Sequence, residues 1–152
     1  MLAKHRVRFV LIGATAARLH GFPRLTADAD ITPSRESQNV QRLAAALREL
    51  DAKIYTESIP EGLPFDCTAA AIERADLWNL TTVAGRVDVA FTPSGTDGYD
   101  DLVRGAVRFE VFGTELFVAC LEDIIRSKVA ADRPQDRQDV VVLRELLKRR
   151  RT

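Results

Sequence analysis

The first apolar stretch, VRFVLIG (Val7 to Gly13), is continuous and closed by glycine, the pattern of a short buried strand. ATAARLHGF then fits one or two helical turns ending near Gly21, with Pro23 just beyond. DADIT resumes as a second strand, stopped by Pro33. From Ser34 the chain reads SRESQNVQRLAAALREL: a capping residue opens it, and Val40, Leu43, Leu47 and Leu50 fall at helical spacing. Pro60, Gly62 and Pro64 break residues 53–70 into a strand followed by a loop. LWNLTTVAGRVDVAFTP predicts two strands around a tight turn at Ala84-Gly85, and VRFEVFGTELFVAC a second hairpin turning at Gly113-Thr114. A short helix over Tyr99 to Gly105 separates the hairpins. LEDIIRSKVAAD is helical, and RPQDRQDVVVLRELLKRRR forms a final helix with Pro134 in its first turn.

Strands and helices mix without regular alternation, which favours an α+β fold, a mixed β-sheet flanked by helices, over a doubly wound sheet. At 152 residues the chain fits one domain, 1–152, with a core over about 7–120 and C-terminal helices over about 121–150. Lysine plus arginine equals aspartate plus glutamate at 22 each, so no global field points to nucleic acid, and only local clusters carry such an argument. Cys67 and Cys120 lie far apart, match no metal spacing and read as reduced core thiols of a reducing compartment. No apolar run approaches the roughly 18 residues a membrane span needs, and the expected location is the cytoplasm.

The chemistry concentrates between Gly13 and Asp30. Asp28 and Asp30 stand two apart on a short strand and share a face, where two carboxylates are unfavourable unless a cation lies between them. In GRVDVAF, Val87, Val89 and Phe91 take one face and leave Asp88 on the other. Beside the Asp28–Asp30 strand, it supplies a third carboxylate. Oxygen-only ligation suits Mg²⁺ or Mn²⁺, held by a few carboxylates together with substrate phosphates. The strand–Gly13–Ala14–helix turn adds backbone N–H groups suited to phosphate.

LIGATAARLHGFPRLTADADI resembles the signature of the nucleotidyltransferase superfamily, a small glycine turn followed by D-x-D. In its H-G-x-x-R-x-T-x-D-x-D form it resembles the AbiEii/MenT-type nucleotidyltransferase toxins and their small relatives. The likeness runs on through GRVDVAF and LEDIIRSKVAADRPQDRQDV. It implies a polymerase-β-like nucleotidyltransferase fold and transfer of a nucleoside monophosphate from an NTP, in the characterised toxins to the 3′ end of tRNA, with an antitoxin as a possible partner. Asp28, Asp30 and Asp88 match the catalytic, metal-binding carboxylates, and Gly13 and Ala14 the phosphate turn. Ala14 stands where relatives carry Gly or Ser. Lys128 matches the helix lysine, Arg133, Asp136 and Asp139 the closing R-x-x-D-x-x-D run. Gly13, Ala14, Arg24, Thr26, Lys128, Asp136 and Asp139 are thus the expected nucleotide-binding set. Asp136 and Asp139 share a helix face, either as partners of the helix dipole or as groups that orient Lys128. Arg24 is a candidate for phosphate or RNA, and His20 reads as a packed helix-end histidine. The alternative to an enzyme is a catalytically degenerate binding module that keeps the fold and acts through a partner.

Overall fold

The computed structural model describes every residue from Met1 to Thr152. Thirteen elements follow one another: β1 (Phe9–Ile12), α1 (Gly13–Leu19), β2 (Asp28–Pro33), α2 (Ser37–Glu49), β3 (Lys53–Ile54), α3 (Ala69–Ile72), β4 (Leu77–Thr82), β5 (Gly85–Ala90), α4 (Tyr99–Gly105), β6 (Val107–Val111), β7 (Thr114–Val118), α5 (Leu121–Ala131) and α6 (Pro134–Arg151). The fold is α+β, as the unpatterned mixture of elements predicts.

All seven strands join one sheet in the order β3-β4-β5-β2-β1-β7-β6. β2 pairs in parallel with β5, and β1 in parallel with β7; the remaining neighbours are antiparallel. The β1–β7 contact closes the molecule. It is short, with Leu11 opposite Val118 and Ala119 N donating to Leu11 O at 2.9 Å, yet it carries the last third of the chain back to the first strand. The core forms from Ile31, Leu80 and Val89 of the sheet, Val40, Leu43 and Leu47 of α2, and Leu121, Ile124 and Leu143 of the last two helices.

Both hairpins turn one residue earlier than the sequence suggests. Thr82 pairs with Gly85 and Val111 with Thr114, so the loops are Val83-Ala84 and Phe112-Gly113. Phe112 and Gly113 both hold positive φ, at 49° and 74°, which matches the twist of a two-residue hairpin. The loop expected after β3 contains one more element, the single turn of α3, capped by the Thr68 hydroxyl, which accepts from Ala71 N at 3.1 Å. Cys67 is buried, but Cys120 sits half-buried at the start of α5 rather than in the core. Burial pushes its thiol up to about 11, so it stays protonated.

α2 starts at Ser37, three residues after the expected cap. Ser34 instead accepts Glu36 N at 3.3 Å in a turn of its own. The start of α2 is fixed by Asn39, a wholly buried polar side chain. Its Oδ1 accepts from Arg8 N at 2.7 Å, and its Nδ2 donates to Arg8 O and Ser34 O, both at 2.9 Å. Asn39→Ala would leave Arg8 N and Ser34 O bare in the interior, at about 2–3 kcal/mol in total. Urea unfolding of this variant beside the parent should show a loss of that size, against about 1 kcal/mol or less for Gln38→Ala on the exposed face of the same helix.

Candidate active site

The parallel pairing of β2 with β5 builds the site. It sets Asp28 opposite Arg86 and Asp30 opposite Asp88, so these four side chains leave the sheet on one face. Ala29, Ile31, Val87 and Val89 take the other. Ile12 lies opposite Asp30 across β1, placing the glycine turn beside the carboxylates. The sequence expectation that Asp28, Asp30 and Asp88 share a face thus agrees with the register.

They do not close into one cage, because no three acidic side chains draw together in ligand geometry. Asp28 is turned toward Arg86, whose Nη1 lies 3.3 Å from Asp28 Oδ2. The same guanidinium stacks 3.7 Å from the centre of the Tyr55 ring. Arg86 is a site residue the sequence reading missed, although R-x-D on β5 mirrors D-x-D on β2 at the same two-residue period. Asp30 and Asp88 face each other. Burial, the Asp88 carboxylate and then Asp28 raise Asp30 to about 7. Burial and Asp28 likewise push Asp88 above the usual carboxylate range. Asp28 Oδ1 and Asp88 Oδ1 are buried with no hydrogen-bond partner. Two orphaned carboxylate oxygens beside a third carboxyl are oxygen donors of the kind a hard divalent cation takes, so the residues fit one in chemistry while standing apart from ligand geometry.

Gly13 permits the close approach. It holds φ +67°, and a Cβ built on it would stand 2.5 Å from Asp30 Oδ2. The turn therefore needs glycine both for its backbone and for the carboxylate against it. Thr15 of α1 donates from Oγ1 to Asp28 O at 2.7 Å and ties the helix to β2. Thr26 also donates weakly to Asp28 O, at 3.3 Å. Ala14 and Thr26 both line the cleft.

The positive side of the site comes from α5 and α6. Lys128, largely buried, ion-pairs with Asp136 Oδ1 at 3.3 Å and Asp139 Oδ2 at 3.0 Å. Arg24 reaches over to Asp139 with Nη1 at 3.0 Å from both oxygens, and Gln135 donates to it at 3.0 Å. Arg133 caps α6 through Asp136, with Nε 2.7 Å from Oδ2. Burial works against the charge of Asp136, but the Arg133 hydrogen bonds and Lys128 outweigh it and hold the carboxyl below its usual range. Of the two roles the sequence leaves open for Asp136 and Asp139, the contacts favour orientation of Lys128, and Asp136 also lines the cleft. Both are buried and their oxygens are taken up by cations, so they hold Lys128 and Arg24 in place. His20 is packed as expected: Nε2 donates to Ala119 O at 2.8 Å, Nδ1 accepts from Arg150 at 2.8 Å, and burial lowers its pKa.

A cleft of about 720 Å³ joins these parts, running from Gly13, Asp28, Asp30 and Asp88 to Lys128 and Arg133. That volume lies within the usual range of small-molecule sites.

No protein-family model and no curated protein matches the chain. Among solved structures, the lincomycin-bound crystal structure of the lincosamide antibiotic adenylyltransferase LnuA is similar, with a TM-score of 0.60 at 14% identity. The match covers 95% of this chain and 90% of that one. The mixed sheet flanked by helices is a nucleotidyltransferase fold.

The carboxylates make a pH prediction. Asp30 titrates near 7 in the folded protein and near 4 when unfolded, so between those values the folded state holds a proton the unfolded chain has released. Its contribution is full at low pH and is lost as pH rises toward 7. In chelator, the melting temperature should fall by a few degrees from about pH 5 to about pH 8 through this group. Asp30→Asn should flatten that slope and raise the melting temperature at the upper end.

Proposed function

We propose that the protein is a metal-dependent nucleotidyltransferase that moves a nucleoside monophosphate from an NTP to an acceptor hydroxyl. The observation that carries this reading is the convergence, in one cleft, of Asp28, Asp30 and Asp88 with the adjoining Gly13 turn and with Lys128. Asp28, Asp30 and Asp88 would hold Mg²⁺ or Mn²⁺, which supplies charge neutralisation on the triphosphate and a more acidic acceptor hydroxyl. Gly13 and Ala14 bring main chain close to the phosphates, and Lys128 sets a point charge beside them. The acceptor oxygen bonds to the α-phosphorus as the bond to the leaving pyrophosphate breaks, and the Asp88 carboxylate takes the hydroxyl proton. Asp136, Asp139 and Arg24 keep the ammonium aimed, since Lys128 is held from behind by two carboxylates.

Two acceptor classes are compatible with that chemistry. The motif resemblance points to the 3′ end of RNA, tRNA in particular, with a toxin role in the cytoplasm and a cognate antitoxin as partner. A small hydroxylated molecule is the second reading. It is favoured because the cleft's cations are paired with carboxylates: Arg24 with Asp139, Arg133 with Asp136, and Lys128 with both. Little free positive surface remains there to track a phosphate backbone. LnuA, of nearly the same extent, is a lincosamide antibiotic adenylyltransferase seen with lincomycin bound. Labelled NTPs with Mg²⁺, offered total RNA in one arm and a panel of hydroxylated small molecules in the other, separate the two. Nucleotide binding without transfer in either arm would instead mark a binding module.

Asp28→Asn should lower transfer on the order of 10²–10⁴-fold with the fold retained, because a charge-positioning group acts at the transition state. Lys128→Ala should act mainly on KM for NTP. It should also lower the melting temperature, since it strips a cation from two buried carboxylates. Transfer at the parental rate by Asp28→Asn would refute the assignment.

A further inference from the structure

The two edges of the sheet are finished differently. On one side β3 is only two residues long and is covered: Ile54 and Leu63 exchange main-chain hydrogen bonds, both 2.8 Å. On the other side β6 runs for five residues, Val107–Val111, unbroken by proline or bulge, and β7 is its only strand neighbour. Its closing pair is Val111–Thr114, so the N–H and C=O groups of Arg108 and Glu110 point outward, away from β7. A free edge of this length is a template for another strand.

The sequence of that strand, VRFEV, specifies what the template fits. Read against itself antiparallel about Phe109, valine meets valine, phenylalanine meets phenylalanine, and each arginine meets a glutamate. This register also brings the outward main-chain groups of Arg108 onto those of Glu110 in the copy, for about four main-chain hydrogen bonds. Centring on Arg108 or on Glu110 instead would set like charges opposite each other, so the charges select one register. Within one chain Glu110 has no ion-pair partner and lies directly across from Glu115, a repulsive pair. Arg108 is committed only loosely, 3.9 Å from Glu115 and 5.6 Å from the Phe117 ring centre. Phe112, fully exposed at the tip of the hairpin, is left without an apolar contact in the single chain. In the self-paired register it lies opposite Ala106 of the copy.

We propose that β6 is the docking edge for a second copy of this chain, giving a two-fold dimer whose sheets join through antiparallel β6–β6 pairing centred on Phe109. The interface is isologous, so each Arg108–Glu110 pair occurs twice. β1 and β7 lie between this edge and β2, and no residue of β6 lines the cleft.

Sedimentation velocity of the full chain from about 1 to 200 µM should show a monomer–dimer equilibrium, within the range expected of a modest interface. Glu110→Arg should raise the dimer dissociation constant by at least about tenfold, since two attractive pairs become repulsive. It also sets a cation opposite Glu115, so the single chain is not weakened and loss of the dimer cannot be ascribed to misfolding. Arg108→Glu should weaken the dimer in the same way. The double variant Arg108→Glu/Glu110→Arg restores opposite charges in the same register and should recover dimerisation to within about threefold of the parent. A parent that stays monomeric throughout the range overturns the proposal, whether the edge is free or taken by another protein. A dimer unmoved by both single substitutions overturns it as well, because another surface then holds the copies together.

Discussion

The pairing of β2 with β5 is the constraint around which the molecule is arranged. One register sets Asp30 opposite Asp88 and Asp28 beside them on a half-buried face. Such a face opposes folding: burial and mutual repulsion raise Asp30 and Asp88, and two carboxylate oxygens find no partner. The neighbouring features moderate this. Arg86 answers the charge of Asp28, and Thr15 ties down its carbonyl. Gly13 leaves space for the Asp30 carboxylate where any side chain would collide. A site assembled against its own electrostatics, and only partly compensated from within, is one suited to a bound cation and its anionic ligand.

A second charged cluster, on α5 and α6, is arranged in the opposite sense. Lys128 and Arg24 are held by Asp136 and Asp139, and every carboxylate oxygen there has a cation or a donor. Breaking one member of a buried pair leaves an uncompensated charge, commonly about 3–5 kcal/mol, so this cluster is held together by its own pairs, whereas the carboxylate face leaves two oxygens without partners. The cleft thus joins a strained acidic wall to a satisfied basic one. Under the proposed nucleotidyl transfer, that asymmetry would hold charge still on one side and leave it to be neutralised by an arriving ligand on the other.

Much of this was legible along the chain because it is local. The two-residue period of D-A-D and R-V-D sets faces without reference to anything distant, and Gly13, Pro134 and the helical spacing of Val40, Leu43 and Leu47 mark boundaries by their own backbone or packing preferences. Arg86 escaped notice although its signal was there, since alternation gives it the same face as Asp88. Asn39 gave no signal at all. A polar residue on a helix reads as solvated until the start of β1 is laid over it.

By itself the sequence determined the α+β class, nearly every helix and strand, the shared face of Asp28 and Asp30, and the opposed faces of Asp88 and Val89. Each of these depends on periodicities and turn chemistry within a dozen residues. Only the tertiary structure decided that β5 lies beside β2 in the register that matches Asp30 to Asp88, and that β7 returns to β1 and carries Lys128 to the Gly13 turn. It also brought Asp136 and Asp139 together on Lys128. These are pairings across tens of residues, selected by which apolar faces can be buried together, and no local pattern in the chain encodes them.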